Sequence, residues 1–154
     1  MIRHYLDAGK NVTEGNADKE VFISNVIFRG EKGENSVFKA GKKAMFESEV
    51  TANVDCNKLS VSLTLVDDNS LLVFNTSTER LSHASFSLKG GQTKHVTFQL
   101  DLHLLPGTYH FGAYIYRYDI EKMYDTRNPA ATIHVKSDAD VRGIANLYPK
   151  ATLE

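Results

Sequence analysis

The chain has no tryptophan, a single cysteine, almost no net charge, and nowhere the ~20 consecutive apolar residues that a membrane-spanning helix needs. Each shortage excludes something. With Cys56 alone there is no internal disulfide and no cysteine-rich zinc site, and a reducing compartment fits, so the cytoplasm is the expected location. Eighteen basic against nineteen acidic residues leave a formal charge of -1, which removes the electrostatic case for a nucleic-acid or acidic-membrane surface. The opening Met-Ile-Arg-His-Tyr-Leu-Asp lacks the apolar core of a signal peptide. Sequence signatures for a phosphate-binding loop, a nucleophile elbow, an H-E-x-x-H zinc site and an EF-hand are also missing. The nearest approach to a phosphate loop, Gly90-Gly91-Gln92-Thr93-Lys94, has the wrong spacing and joins two expected strands. No catalytic residue, metal ligand or cofactor site is therefore assigned.

What is present is period-two alternation. At 154 residues and 42% hydrophobic content the chain suits one domain with one core. Residues 1–19 are polar and without sustained period over most of their length, and are read as a linker; packing is expected over 20–154. Ala44, Phe46, Ser48, Val50 and Ala52 share one strand face. Leu59, Val61, Leu63 and Leu65 share another, as do Val96, Phe98, Leu100 and Leu102, and Ala131, Ile133 and Val135. Asp67-Asp68-Asn69-Ser70 is turn chemistry, and residues 119–129 read as a charged loop. No helix of three turns with a clear apolar stripe is found. Strands at short spacing with turns between them predict an all-β, two-sheet antiparallel sandwich of immunoglobulin-like or jelly-roll type. A Greek-key ordering puts 57–66, 71–76, 107–118 and 130–136 in one sheet, and 20–29, 44–54 and 93–102 in the other.

Residues 105–118, Leu-Pro-Gly-Thr-Tyr-His-Phe-Gly-Ala-Tyr-Ile-Tyr-Arg-Tyr, carry the most information. Pro106-Gly107 makes a corner, and Tyr109 stands where a sandwich keeps a tyrosine whose hydroxyl bonds back to the corner's backbone. Tyr109, Phe111, Ala113 and Ile115 form the core row. His110, Gly112, Tyr114, Tyr116 and Tyr118 then point outward, an aromatic stripe on a face expected to meet water. Ser60, Ser62, Thr64, Thr132 and His134 join it on the same sheet. Planar rings stack on the C–H faces of sugars, and neutral hydroxyls bond sugar hydroxyls without a desolvated charge, so the face suits carbohydrate. Without tryptophan, stacking falls to tyrosine and phenylalanine. We assign stacking to Tyr114, Tyr116 and Tyr118, and hydroxyl contacts to His110, Ser62, Thr64, Asn75 and His134. Two alternatives stay open: a structural or dimerisation module docking protein on the tyrosine face, and a polysaccharide hydrolase using carboxylates among Asp119, Glu121 and Asp125.

Several elements together resemble one family. They are Phe38-Lys39-Ala40-Gly41, the strand ending in Glu49-Val50, the hairpin from Leu63-Thr64-Leu65-Val66-Asp67-Asp68 to Phe74-Asn75-Thr76, and the corner Leu104-Leu105-Pro106-Gly107-Thr108-Tyr109. The chain resembles the C-terminal carbohydrate-binding domain of the ATP-binding subunit of O-antigen polysaccharide ABC transporters, the Wzt type. Ile2-Arg3-His4-Tyr5 resembles the residues that follow the nucleotide-binding domain there, and Gly143 to Pro149 resembles the family's last strand. The resemblance implies a domain of a longer subunit, acting in the cytoplasm at the inner membrane beside a nucleotide-binding domain and a membrane subunit. It implies a non-catalytic role in binding lipid-linked O-polysaccharide, with no nucleic-acid partner. It also implies a homodimer formed by exchange of a C-terminal strand, for which residues 138–154 supply Val141, Ile144, Leu147 and Tyr148.

Overall fold

The computed structural model describes residues 16–82, 84–143 and 145–153. Nine strands carry the fold: β1 (Val21–Gly30), β2 (Val37–Lys39), β3 (Lys43–Ala52), β4 (Cys56–Asp67), β5 (Leu72–Ser77), β6 (Phe86–Leu88), β7 (Thr93–Asp101), β8 (Gly107–Arg117) and β9 (Lys122–Lys136). A short helix, α1 (Thr78–Ser82), follows β5. One sheet has the order β1-β3-β7; the other runs β2-β9-β8-β4-β5, with β6 also paired to β4. The strands fall into the two sheets that the alternation predicted. All pairs are antiparallel except β2 with β9. That short parallel strand is the Phe38-Lys39-Ala40-Gly41 element: Phe38 enters the core, and Gly41 takes a φ of 84°, which a side chain would resist.

The inner faces meet in one core. Val21, Ile23, Phe46 and Val50 from the smaller sheet pack with Leu59, Val61, Leu63, Phe111, Ile115 and Ile133 from the larger. Phe28, Phe38, Phe46 and Phe111 form a ring cluster that bridges both sheets, with Phe111 4.8 Å from Phe28 and 5.6 Å from Phe46 between centroids. The larger sheet is wider than its partner, and at its β5 margin Leu71, Leu72, Val73 and Phe74 are all exposed, although Phe74 pairs with the inward-facing Leu65.

The corner behaves as its sequence requires. Tyr109 is buried, and its hydroxyl donates to the Leu105 carbonyl at 2.6 Å. Burial, with a smaller effect of the Asp67 charge, raises the Tyr109 pKa. The unfolded chain therefore loses this proton before the folded one. This share of stability is whole below the ordinary tyrosine value of about 10 and is lost as pH climbs through the raised value. Tyr109→Phe is expected to cost about 1 kcal/mol at neutral pH and to flatten the loss of stability in alkali. Urea titrations at neutral and alkaline pH measure both effects.

The structure revises the boundaries read from sequence in three places. Residues 119–129 are mostly strand, since β9 begins at Lys122 and only a tight turn separates it from β8. Packing begins before residue 20. Asn16–Asp18 forms a 3-10 turn, Asn16 is buried, and the Asn53 amide donates to the carbonyls of Asn16 (2.9 Å) and Lys19 (2.8 Å). The rest of the expected linker, with Ile2-Arg3-His4-Tyr5, lies outside the described residues. In the tail, the described residues from 138 onward, which include all but Ile144 of the segment likened to a last strand, belong to neither sheet. Leu147, Tyr148 and Leu153 are exposed, and the Tyr148 hydroxyl bonds His103.

Candidate functional site

The outer face of the larger sheet is built from cross-strand rows. His110 on β8 stands between Val66 on β4 and Thr132 on β9. Gly112 faces Thr64, which faces Asn75 on β5. Tyr114 stands between Ser62 and Thr126, and Tyr116 between Ser60 and Met123. Pairing at period two places these side chains together on the face opposite the core.

Gly112 is the floor of this face. Opposite it β9 bulges, for Phe111 pairs with Ala131 and Ala113 with Arg127, so residues 128–130 stand across from one residue. The bulge brings Asn128 over the glycine, where its amide donates to the Tyr114 hydroxyl at 3.2 Å. A Cβ on Gly112 would lie 2.8 Å from Thr64 Oγ1 and 3.1 Å from the Tyr114 hydroxyl oxygen. The tyrosine therefore reclines along the strand rather than standing away from it. Its ring, Thr64 and Asn128 thus pack together over Gly112 and present hydroxyl and amide groups on this face.

His110 closes one end. Its Nε2 lies 2.8 Å from Asp68 Oδ1 and its Nδ1 lies 2.9 Å from Thr132 Oγ1. The carboxylate can only accept, so Nε2 carries the proton; in the neutral ring Nδ1 then accepts from the Thr132 hydroxyl. His134 sits beyond, bonded to Thr108 Oγ1 at 2.9 Å. The two histidines are thus each tied to a cross-strand threonine. Among the described residues no three His, Cys, Asp or Glu side chains are placed to hold a metal ion.

The other expected residues divide. Tyr114, Tyr116, Ser62, Thr64, Asn75, His110 and His134 all lie on this face. Ser62 Oγ donates to the Thr76 carbonyl, and Asn75 Oδ1 accepts from Arg80 Nη2 at 2.8 Å, so part of their capacity is already used. Tyr118 stands at the end of the stripe and is exposed. It follows the last residue of β8, and its backbone N–H donates to the Lys58 carbonyl as the chain turns. Ser60 has the expected parity but is fully buried, because α1 lies over it: its hydroxyl pairs with that of Thr78 and accepts from the Glu79 N–H.

Two of the three carboxylates named for hydrolysis serve other ends. Asp119 accepts two bonds from Arg117, at 2.7 and 3.1 Å, and that guanidinium holds its pKa below the ordinary value. A general acid needs the opposite shift. Asp125 is buried at the seam between the sheets, where Oδ2 accepts from the Ile23 N–H at 2.8 Å and Oδ1 meets Lys19 Nζ at 2.6 Å. Cys56 lines a separate cleft of about 600 Å3 with Glu20, Arg117 and Tyr124; burial pushes its thiol pKa up, which makes it a poorer nucleophile.

Asn128 and the Gly112 floor are what sequence reasoning missed on this face. The signal was the Asn128-Pro129 pair, which reads equally as a loop or as a bulge within a strand.

Comparison with known proteins agrees with this architecture. A family model described as the Wzt C-terminal domain matches residues 12–147. No curated protein matches the chain. Among solved structures, a crystal structure of the C-terminal domain of wzt aligns with a TM-score of 0.79 at 17% identity, covering 89% of this chain and 86% of that one. A β-glucuronidase 2 of Bacteroides uniformis aligns at 0.54 and 12% identity, over 71% of this chain and 14% of that one. The alkylpurine DNA glycosylase AlkC of Pseudomonas fluorescens aligns at 0.52 and 13% identity, over 88% and 36%. At such identities the structural likenesses show a shared fold.

Proposed function

We propose that this chain, which belongs to the Wzt C-terminal domain family of O-antigen ABC transporters, holds the polysaccharide cargo on the outer face of its larger sheet and so gives the exporter cargo specificity. The observation that carries this reading is the cluster of Tyr114, Thr64 and Asn128 packed over Gly112, whose ring, hydroxyls and amide are continued along β8 by Tyr116. Sugar rings present apolar C–H faces and neutral hydroxyls, and this surface offers both complements. The role is recognition without turnover: the carboxylates nearest the stripe are an ion-paired Asp119 and a buried Asp125, and Cys56 is a thiol held protonated.

Individual contacts on a shallow open face are weak. Repeating units on the glycan and two copies of the domain raise affinity through effective concentration. A homodimer by strand exchange is supported by the apolar tail, whose described residues lie outside both sheets, and by β7, whose outer edge carries no partner strand among the described residues. In the full transporter the domain works on the cytoplasmic side of the inner membrane with a nucleotide-binding domain and a membrane subunit. No helix among the described residues is long and apolar enough to cross a membrane.

Titration of purified O-polysaccharide tests the assignment. Tyr116→Ala is expected to weaken binding by roughly tenfold, equivalent to about 1.4 kcal/mol. Tyr114→Phe, which keeps the ring but loses the Asn128 bond, should weaken it less. Unchanged affinity in both variants would remove the tyrosine face as the binding surface. Dimerisation without any glycan binding would instead favour a docking module.

A further inference from the structure

At its β2 margin the same outer face changes character. Val37 pairs with His134, and Lys39 pairs with Lys136 in parallel register. Phe38 and Val135, between them, point into the core, so both lysines point outward, on strands about 4.8 Å apart. Like charges directly opposite each other work against a sheet. Lys42, from the β2–β3 turn, and Lys32, from the β1–β2 loop, line the same cleft of about 490 Å3.

None of these four cations is held in a direct ion pair among the described residues. Among the described residues, six lysines make no ion pair, side-chain hydrogen bond or aromatic contact, and four of the six are Lys32, Lys39, Lys42 and Lys136. Glu31, Glu34 and Asp138 also line the cleft, yet none comes within 4.0 Å of a lysine ammonium; Glu34 accepts from the Lys32 backbone N–H instead. Elsewhere, Lys19, Lys43, Lys58 and Lys122 each have a carboxylate.

We propose that this cleft is an anion subsite at one end of the glycan face, which takes a phosphate or carboxylate group carried by the polysaccharide. The proposal rests on the glycan reading above and narrows its cargo class: a neutral sugar on the tyrosine floor, an acidic substituent against the lysines. Ammonium groups on flexible stems recognise such groups as point charges, and an anion between Lys39 and Lys136 relieves their repulsion.

Amide NMR titrations with sodium phosphate, sodium glucuronate and methyl glucoside, at ionic strength fixed with sodium chloride, test it. Phosphate and glucuronate should give saturable shifts at Lys39, Lys42 and Lys136 that methyl glucoside does not. The Lys39→Gln/Lys136→Gln double variant should lose roughly tenfold in glucuronate affinity while methyl glucoside shifts near Gly112 and Tyr114 stay as they were. No saturable shift, equal affinity in the double variant, or equal shifts at Lys89 and Lys150 would each overturn the subsite. So would binding to phosphatidylglycerol vesicles without a response to glucuronate or phosphate. Loss of methyl glucoside shifts at Gly112 alone would count against the tyrosine floor and leave the lysine cleft standing.

Discussion

Phe111→Ala is expected to lower the unfolding free energy by about 3–5 kcal/mol, a large part of the ~5–15 kcal/mol that holds a domain together. The ring is 1% exposed and touches both layers, lying 4.8 Å from Phe28 and 5.6 Å from Phe46. Its loss removes transfer free energy and leaves a cavity that strands of two sheets cannot close without breaking their ladders. Denaturant unfolding with an unchanged m-value should register the shift, and melting should fall by roughly 10 °C or more at this size. Phe111→Leu keeps most of the volume and should lose clearly less. A loss under about 1 kcal/mol for alanine would mean that the cluster collapses freely, and the four-ring bridge would not be the centre of the core.

Asp125→Ala is expected to cost about 3 kcal/mol or more, a large effect for a residue that sequence places in a charged loop. Its side chain is 5% exposed and does three things. It accepts the Ile23 N–H beside the irregularity in β1, it pairs with Lys19, and it opposes the guanidinium of Arg127, whose Nη2 donates to the Ile23 carbonyl. Burial lowers the Arg127 pKa while the Asp125 charge raises it, so removing the carboxylate strands a partly buried cation as well as a backbone donor. Asp125→Asn separates the two contributions, since an amide oxygen still accepts from Ile23 but carries no charge. Urea titration should rank wild type above asparagine and asparagine above alanine. Equal losses for both variants would assign the whole effect to charge.

These two residues show what was and was not legible. Phe111 could be read from the chain because alternation fixes which face a strand residue joins, and the Pro106-Gly107 corner with Tyr109 fixes the phase. The same logic placed Tyr114, Tyr116, Ser62, Thr64, Asn75, His110 and His134 on one surface. It failed where a ladder is irregular or where another element intrudes. Asp125 borders one register shift in β9 and Asn128 lies within the other, and a bulged strand rich in Asp, Asn, Arg and Pro has the composition of a loop. Ser60 was assigned to water by parity, but α1, five residues that no periodic pattern announces, covers it. The lysine cleft was invisible for a different reason: net charge averages over the chain, whereas Lys39 and Lys136 become neighbours only through a pairing nearly a hundred residues apart in sequence.

The unequal sheets have a mechanical consequence. Five strands set side by side span about 19 Å between outer axes, and three span about 10 Å. The larger sheet therefore overhangs its partner, and Phe74 at the margin is 39% exposed although its parity is that of a core residue. Among the described residues, β5 is a ledge fastened along one side to β4, with its Leu72–Asn75 part exposed and only Thr76 and Ser77 buried. Lifting it breaks a row of hydrogen bonds but opens almost none of the core, so this margin yields at a lower free energy than the body of the sandwich, on the same sheet whose centre bears the tyrosine floor.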